Sequence, residues 1–153
     1  MDSGGFTRLL CSRTLGARWS GRHVRLWALL LETLATLDEG LAADEVLARG
    51  ESGRAGWCTP ELLRIKGKRL LRSDGKDRAE LLMLRSIETA RRQGALSWEL
   101  RTAISLAELW QAEHRHNLAA NLLVSTVGRF TEGFTTADLV RAADLLKNLH
   151  ASA

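Results

Sequence analysis

Apolar and polar positions alternate with a helical period along most of the chain. From residue 59 onward, apolar and small side chains recur at spacings of three and four residues, which places them on one face of an α-helix. The pattern predicts five helices in this part of the sequence. They run from Thr59 to Leu71, from about Asp77 to Gln93, from about Ser97 to a polar break at 114–117, through 119–127, and from about Thr136 to Leu149.

Two of the predicted helix boundaries carry capping signals. Thr59 is a good N-cap, and Pro60 suits the first helical position because its missing N–H would be unpaired there. Gly94 directly follows a predicted helix that ends in basic residues, as is typical where a helix stops on a left-handed residue. These signals fix the start of one helix and the end of the next.

A shift of 40 residues superimposes two of the predicted helix pairs. Small residues are matched with small residues, Gly67 with Ala107 and Ala79 with Ala119. The same shift matches Leu70 with Trp110, Leu82 with Leu122, Met83 with Leu123, Ser86 with Thr126, and Ile87 with Val127. A small residue in each helix lets its partner cross closely, and repeated amphipathic pairs bury their core only by stacking. The sequence therefore predicts an all-α fold, an α-solenoid of antiparallel helix pairs with a C-terminal capping helix.

The N-terminal part of the chain fits this scheme less well. Helices over 24–36 and 38–49 would form an earlier pair with Ala28 and Gly40 at the crossing, but they leave little room for a turn. We place the repeat domain at 22–150. Residues 1–21 are basic and rich in Ser and Gly, which predicts a poorly ordered segment, with an organelle transit peptide as the alternative.

Composition narrows the class of protein. Hydrophobic residues make up 45% and charged residues 26% of the chain, as in ordinary globular proteins. The net charge of +4 is small, and its excess lies in 51–100. Cys11 and Cys58 form neither a zinc nor a disulfide pattern, and no apolar run approaches the ~18 residues of a membrane span. We therefore expect a cytoplasmic protein with no membrane partner.

Four segments of the chain resemble a known group of proteins, namely 57–67, 90–95 with 99–101, 105–110, and 128–134. Together they look like the C-terminal region of large bacterial signalling proteins, which join a class III adenylate cyclase or a winged-helix DNA-binding domain to a predicted ATPase and then to tetratricopeptide-like repeats. The resemblance covers about 22–149 and implies a tetratricopeptide-like, regulatory or scaffolding role, with the catalytic domains upstream. Arg78 and 117–118 depart from the usual repeat pattern, so the chain is also interpretable as a remnant of such a regulator.

Motifs for catalysis and for cofactors are missing from the sequence. Neither the GxxxxGK[ST] nor the GxGxxG phosphate-binding pattern occurs. His114 and His116 are two residues apart, which would direct them to different sides of a helix, so we interpret them as part of a solvated turn. Cys58 precedes a helix start, which favours a thiolate, but no histidine is placed to pair with it. We predict no catalytic residue, no cofactor, no metal and no enzymatic activity.

Two surfaces are candidates for contact with a partner. Arg64, Lys68 and Arg72 form one basic stripe on the helix 62–72, which is either an ordinary solvated face or a site for an acidic partner or nucleic acid. Trp57 and Trp98 stand in similar places before their repeats, where packing between neighbouring helix pairs would explain them, with an exposed aromatic hot spot in a groove as the alternative for one of them.

Three functions are compatible with the sequence. The first is a protein-binding scaffold with a protein or peptide in its groove. The second is a regulatory segment that self-associates or docks on a separate domain. The third is a weak nucleic-acid binder through the basic helix, which the absence of a recognisable motif does not favour. The residues expected to contact a partner are Arg64, Lys68, Arg72, Arg101 and Ser105.

Overall fold

The computed structural model describes residues 21–73 and 75–151 of the chain. All regular structure in these residues is helical, so the prediction of an all-α protein is confirmed. The α-helices are α1 (Gly21–Leu37), α2 (Asp44–Glu51), α3 (Thr59–Leu71), α4 (Lys76–Gln93), α5 (Leu96–Ala112), α6 (His116–Val127) and α7 (Ala137–Ala151). Short 3-10 turns at Glu39–Leu41 and Gly56–Cys58 precede α2 and α3. The segment predicted to be poorly ordered lies outside the described residues, except for residue 21.

The helix bounds agree with the periodicity from α3 onward, and one capping prediction is wrong. Thr59 is not the N-cap of α3, because its backbone is already helical (φ −48°, ψ −46°) and Cys58 occupies the cap position without a side-chain hydrogen bond. The chain enters α3 directly from a 3-10 turn, so no extended capping residue is needed. Gly94 does adopt the left-handed conformation (φ +66°), which ends α4 and allows α5 to begin two residues later.

Consecutive helices from α2 to α7 pack against one another, and the odd-numbered helices also contact each other across the even ones. α3 lies against both α4 and α5, and α5 lies against α6 and α7. Most buried apolar side chains between Met83 and Leu149 form one core, which joins α4 to α7. A second core around Leu47, Leu62 and Ile65 joins α2 and α3 to the end of α1.

The predicted close crossings coincide with buried small residues. A Cβ at Gly67 would lie 3.1 Å from Cγ of Met83 and 3.3 Å from the carbonyl oxygen of Ala79, so α3 and α4 approach too closely there for a larger residue to fit freely. Ala79, Ala107 and Ala119 are fully buried. The hydroxyl at Ser86 is also internal, where it donates to the Pro60 carbonyl at 2.7 Å.

The earlier predicted helix pair is only half correct. α1 covers 24–36, but a connector and the short helix α2 replace the single helix expected over 38–49. Asp38 ends the helical path, because its side chain accepts a hydrogen bond from Gly40 N–H at 2.8 Å and stabilises the 3-10 turn. Gly40 is exposed and contacts no crossing helix. Its pairing with Ala28 is therefore wrong.

Of the helices described, none is both long and apolar enough to cross a bilayer.

Candidate functional site: a charged cleft along the odd-numbered helices

A cleft of about 220 Å³ opens along the side of the molecule where α1, α3, α5 and α7 lie next to one another. Each of these helices contributes side chains to it, as does the connector between α1 and α2. Its lining alternates in charge and includes little apolar surface. The residues are Thr36, Leu37, Glu39, Glu61, Arg64, Lys68, Arg101, Ile104, Ser105, Asp138 and Arg141.

Arg64 is the most buried cation of the cleft, with only 7% of its surface exposed. It lies one helical turn after Glu61 on α3, and its Nε and Nη2 donate to the two Glu61 carboxylate oxygens at 2.8 Å each. Glu61 itself is 1% exposed. Burial opposes the charge of Arg64, but the hydrogen bonds and charges of Glu61 and Glu39 outweigh it and raise the pKa of the guanidinium. The pair is a fixed charged base for the cleft.

Glu39 reaches Arg64 from outside the helices. It lies in the 3-10 turn of the connector, and its carboxylate accepts hydrogen bonds from Arg64 Nη2 at 2.7 Å and from Lys68 Nζ at 2.8 and 2.9 Å. Partial burial raises the pKa of Glu39, but the hydrogen bonds from Lys68 and Arg64 outweigh this effect, so the pKa is lowered. Glu39 is therefore held as a carboxylate between two cations.

Arg101 on α5 joins α3 to α7. Its Nε donates to Asp138 at 2.9 Å, and its Nη1 lies 3.4 Å from the Glu61 carboxylate. The hydrogen bond to Asp138 is the largest cause of the raised pKa of Arg101. Ser105, one turn further along α5, donates to the Arg101 carbonyl at 3.1 Å and accepts from Arg64 at 3.5 Å. Three consecutive odd-numbered helices are thus linked by charged groups.

The structure brings four of the five predicted partner-binding residues into this one cleft. Arg64, Lys68, Arg101 and Ser105 all line it. Arg72 does not, because α3 ends at Leu71 and Arg72 follows as an exposed cap residue.

The prediction missed every acidic residue of the cleft. A signal existed for Glu61, since the shift of 40 residues places it on Arg101, an opposite charge at the equivalent position. No periodicity could have shown Glu39, because it lies in a connector.

The interpretation of the basic helix as an ordinary solvated face is wrong for Arg64, which is buried. Two further cations of α3 also have partners. Lys66 pairs with Glu51, and Arg69 donates hydrogen bonds to the carbonyls of Glu39 and Ala42. α3 has a neighbour on this side as well as on its apolar side, so Arg64 and Lys68 of the stripe contact the connector and α5, while Arg72 is exposed to water. This arrangement leaves few cations of α3 available to phosphates.

Cys58 is a buried thiol, and the expectation of a favoured thiolate is wrong. Its Sγ donates to the Ala55 carbonyl at 3.1 Å and lies 3.7 Å from the Glu32 carboxylate. Burial, together with the negative charge of Glu32, raises the pKa of the Cys58 thiol to about 12. At neutral pH the group is therefore a protonated hydrogen-bond donor. Cys11 lies outside the described residues.

The two histidines do not form a metal site with other ligands. His114 is exposed and adopts a positive φ of 60° in the turn before α6, while His116 is the half-buried first residue of that helix. Their rings are 6.0 Å apart, edge to face. Nowhere in 21–73 or 75–151 do three His, Cys, Asp or Glu side chains come together in a way that could hold a metal ion.

Trp57 and Trp98 stack on each other at a different surface from the cleft. Their ring centroids are 5.2 Å apart with an interplanar angle of 25°. The pair joins the start of α3 to the start of α5, in line with the predicted packing between neighbouring helix pairs. Trp57 stays 51% exposed, so it also contributes an aromatic group to the surface.

Comparison with protein-family models, with curated proteins and with solved structures found no match to this chain. The function proposed below therefore depends on the geometry of the cleft and on the sequence pattern.

Proposed function

We propose that this protein is a tetratricopeptide-like helical scaffold that binds a peptide or protein partner in the charged cleft. The observation that carries this proposal is the origin of the cleft, whose lining comes from α3, α5 and α7 together with the end of α1. In an α-solenoid, the first helices of successive pairs lie side by side and form the concave surface used for binding. The contacts of α3 with α5, and of α5 with α7, support such an arrangement.

The chemistry of the cleft suits recognition better than catalysis. Cations and carboxylates alternate along it and hold one another at fixed positions, which provides paired donors and acceptors for an extended chain. Ser105 is the only hydroxyl nucleophile on α5 in the cleft lining, and its proton goes to a backbone carbonyl rather than to a base. These features support a role without catalytic activity.

The resemblance to bacterial signalling proteins adds a regulatory setting to this proposal. In that setting, the occupant of the cleft is a segment of a cyclase, ATPase or transcriptional regulator. Binding of nucleic acid is less well supported, because Arg64 and Lys68 already hydrogen-bond to carboxylates and acidic groups line the same cleft.

Self-association is a further part of the proposal, and the outer surface of α1 supports it. Leu26, Leu29, Leu30 and Trp27 are each more than two-fifths exposed on this one helix. Exposed apolar side chains that share one helix are typical of a protein–protein contact surface. We expect a double change Leu26→Glu, Leu30→Glu to lower the weight-average mass at high concentration in sedimentation. Leu81→Glu, at an exposed leucine of α4, is the matched control and should leave the mass unchanged.

The binding role is tested by selection from a displayed random peptide library on the immobilised full chain, followed by fluorescence anisotropy on the selected peptides. We expect Lys68→Ala and Arg101→Ala to weaken binding by roughly tenfold, a change of about 1.4 kcal/mol. Lys147→Ala on α7, whose exposed ammonium pairs with Asp144, should have no effect. Thermal melts confirm that each variant remains folded. Failure to select any peptide, or equal losses in all three variants, would contradict the proposal.

A further inference from the structure

Glu39 differs from the other carboxylates of the cleft in how it is anchored. Glu61 and Asp138 belong to helices that form the walls, whereas Glu39 belongs to the connector, residues 38–43. Within the connector only Ala42 is buried. The side chains on both sides of the contact are about one-third exposed, 37% for Glu39 and 35% for Lys68.

The contacts that hold the connector are few. Its 3-10 turn rests on two backbone hydrogen bonds, from Leu41 N–H to the Asp38 carbonyl at 3.0 Å and from Ala42 N–H to the Glu39 carbonyl at 3.4 Å, and on the Asp38 side chain. Arg69 adds hydrogen bonds to the carbonyls of Glu39 and Ala42. The neighbouring leucines, Leu37 and Leu41, are both exposed. A segment with so few buried groups opens at lower cost than the packed helices around it.

The cations that bind Glu39 can still bind a carboxylate when Glu39 leaves. Arg64 is held in place by Glu61, so its Nη2 stays directed toward the cleft. Lys68 has a compact ammonium that donates hydrogen bonds to any carboxylate within reach. The Glu39–Lys68 pair is about one-third exposed on both sides, and exposed ion pairs are individually weak, so a carboxylate from another molecule can compete with Glu39 for Lys68.

We propose that the cleft recognises an acidic side chain of its partner and that Glu39 is an internal competitor for that position. In the unbound protein, the Glu39 carboxylate takes the hydrogen bonds of Arg64 and Lys68. On binding, a Glu or Asp of the partner replaces it and the connector moves away. This inference rests on the proposed binding function and adds the chemical class of the ligand and an autoinhibitory contact.

The surroundings favour an acidic peptide over a polyanion. Glu61 and Asp138 remain in the cleft after Glu39 leaves, and they would repel a chain of phosphates. Leu37 and Ile104 line the same cleft, so an apolar residue next to the acidic one would also find a contact. The chain itself carries this combination at 36–43, where Leu37 and Leu41 flank Glu39.

The test uses a labelled peptide that copies residues 36–43, measured by fluorescence anisotropy against the full chain. Glu39→Gln removes the internal carboxylate charge, so we expect it to bind this peptide about tenfold more tightly than the natural sequence. A peptide in which the glutamate is replaced by glutamine should bind neither protein. Asp44→Asn is the matched control, because it neutralises a nearby carboxylate that pairs with Arg69 outside the cleft, and it should leave the affinity unchanged.

Hydrogen exchange on the unmodified chain gives a second readout that does not depend on a variant. Saturating peptide should speed exchange of the Gly40 and Leu41 amides, because the connector is displaced. Equal affinity of both proteins for the peptide, or unchanged exchange at these amides, would overturn the autoinhibitory contact. If library-selected peptides bind the cleft but neither they nor the copied segment needs a carboxylate, the acidic ligand class is wrong while the binding function stands.

Discussion

The helix pairs α3–α4 and α5–α6 share their internal positions but differ on the side that faces the cleft. Inside, the shift of 40 residues matches Gly67 with Ala107 and Ala79 with Ala119, all of them buried. At the cleft, the same shift matches residues of opposite or unlike character. These matched pairs are Glu61 with Arg101, Arg64 with Ile104, and Lys68 with Glu108.

Packing and charge therefore follow separate rules in this molecule. Small and apolar positions repeat because each pair must cross at the same distance. Charges alternate because helices that lie side by side must attract, as Glu61 attracts Arg101 and Glu108 attracts Arg141. A like-charged repeat would place equal charges opposite each other and destabilise the array.

The largest expected effect is at Arg64, where the first pair has a buried charge and the second has Ile104. Arg64→Ala leaves Glu61 buried with only the longer contact to Arg101, so we expect a loss of about 3–5 kcal/mol in the free energy of unfolding. Urea titration followed by circular dichroism measures this loss.

A double variant, Glu61→Gln with Arg64→Met, separates the charge from the packing. It removes both ions and keeps most of the side-chain volume, so we expect it to be more stable than Arg64→Ala. A double variant as unstable as the single one would show that the ion pair is not the source of the loss.

The next effect concerns the matched crossings. Gly67→Ala gains about 1 kcal/mol of helix propensity. It also places a Cβ against Met83 and the Ala79 carbonyl, an overpacking that costs about 1–3 kcal/mol, so we expect a net loss of about 1 kcal/mol. The clash is partly with the flexible Met83 side chain. The double variant Gly67→Ala, Met83→Ala should therefore lose less free energy of unfolding than the sum of the two single losses. Urea titration of the single and double variants checks this, and additive losses would contradict the close crossing.

The helical fold was largely predictable, because the determinants of each helix are local. The periodicity of α4, the left-handed stop at Gly94 and the small residues at the crossings all lie within a few residues of what they determine. The connector was not predictable in the same way. Asp38 ends the helical path by a hydrogen bond to Gly40, and the pattern of apolar residues does not record it.

Of the candidate site, Arg64, Lys68, Arg101 and Ser105 were predictable from the sequence, and the carboxylates were not. Helical spacing showed that Arg64 and Lys68 share a face of α3, but not that this face is covered. In an array, a helix has neighbours on two sides, and a side covered through ion pairs reads as polar in the sequence. The burial of Arg64 and its contact with Glu39 depend on residues 25 positions apart along the chain, which periodicity cannot relate.

The smallest expected effect is the pH dependence that Glu39 adds to the first helix pair. Its pKa in the folded protein is lowered from 4.5 by hydrogen bonds from Lys68 and Arg64 that outweigh partial burial. The folded state therefore binds this proton more weakly than the unfolded state, so stability is fully present above about pH 4.5 and is lost as the pH falls through the lowered pKa. Because solvent screens the partly exposed Glu39–Lys68 pair, we expect this carboxylate to contribute less than about 1 kcal/mol to the free energy of unfolding. Urea titrations between about pH 3 and 6 should give a shallower acid limb for Glu39→Gln than for the natural sequence. Asp44→Asn changes an almost fully exposed carboxylate and is the control, so its stability should fall with decreasing pH as steeply as that of the natural sequence. If the stability of Glu39→Gln also falls as steeply as that of the natural sequence, the connector carboxylate adds no stability to the α3 side of the cleft.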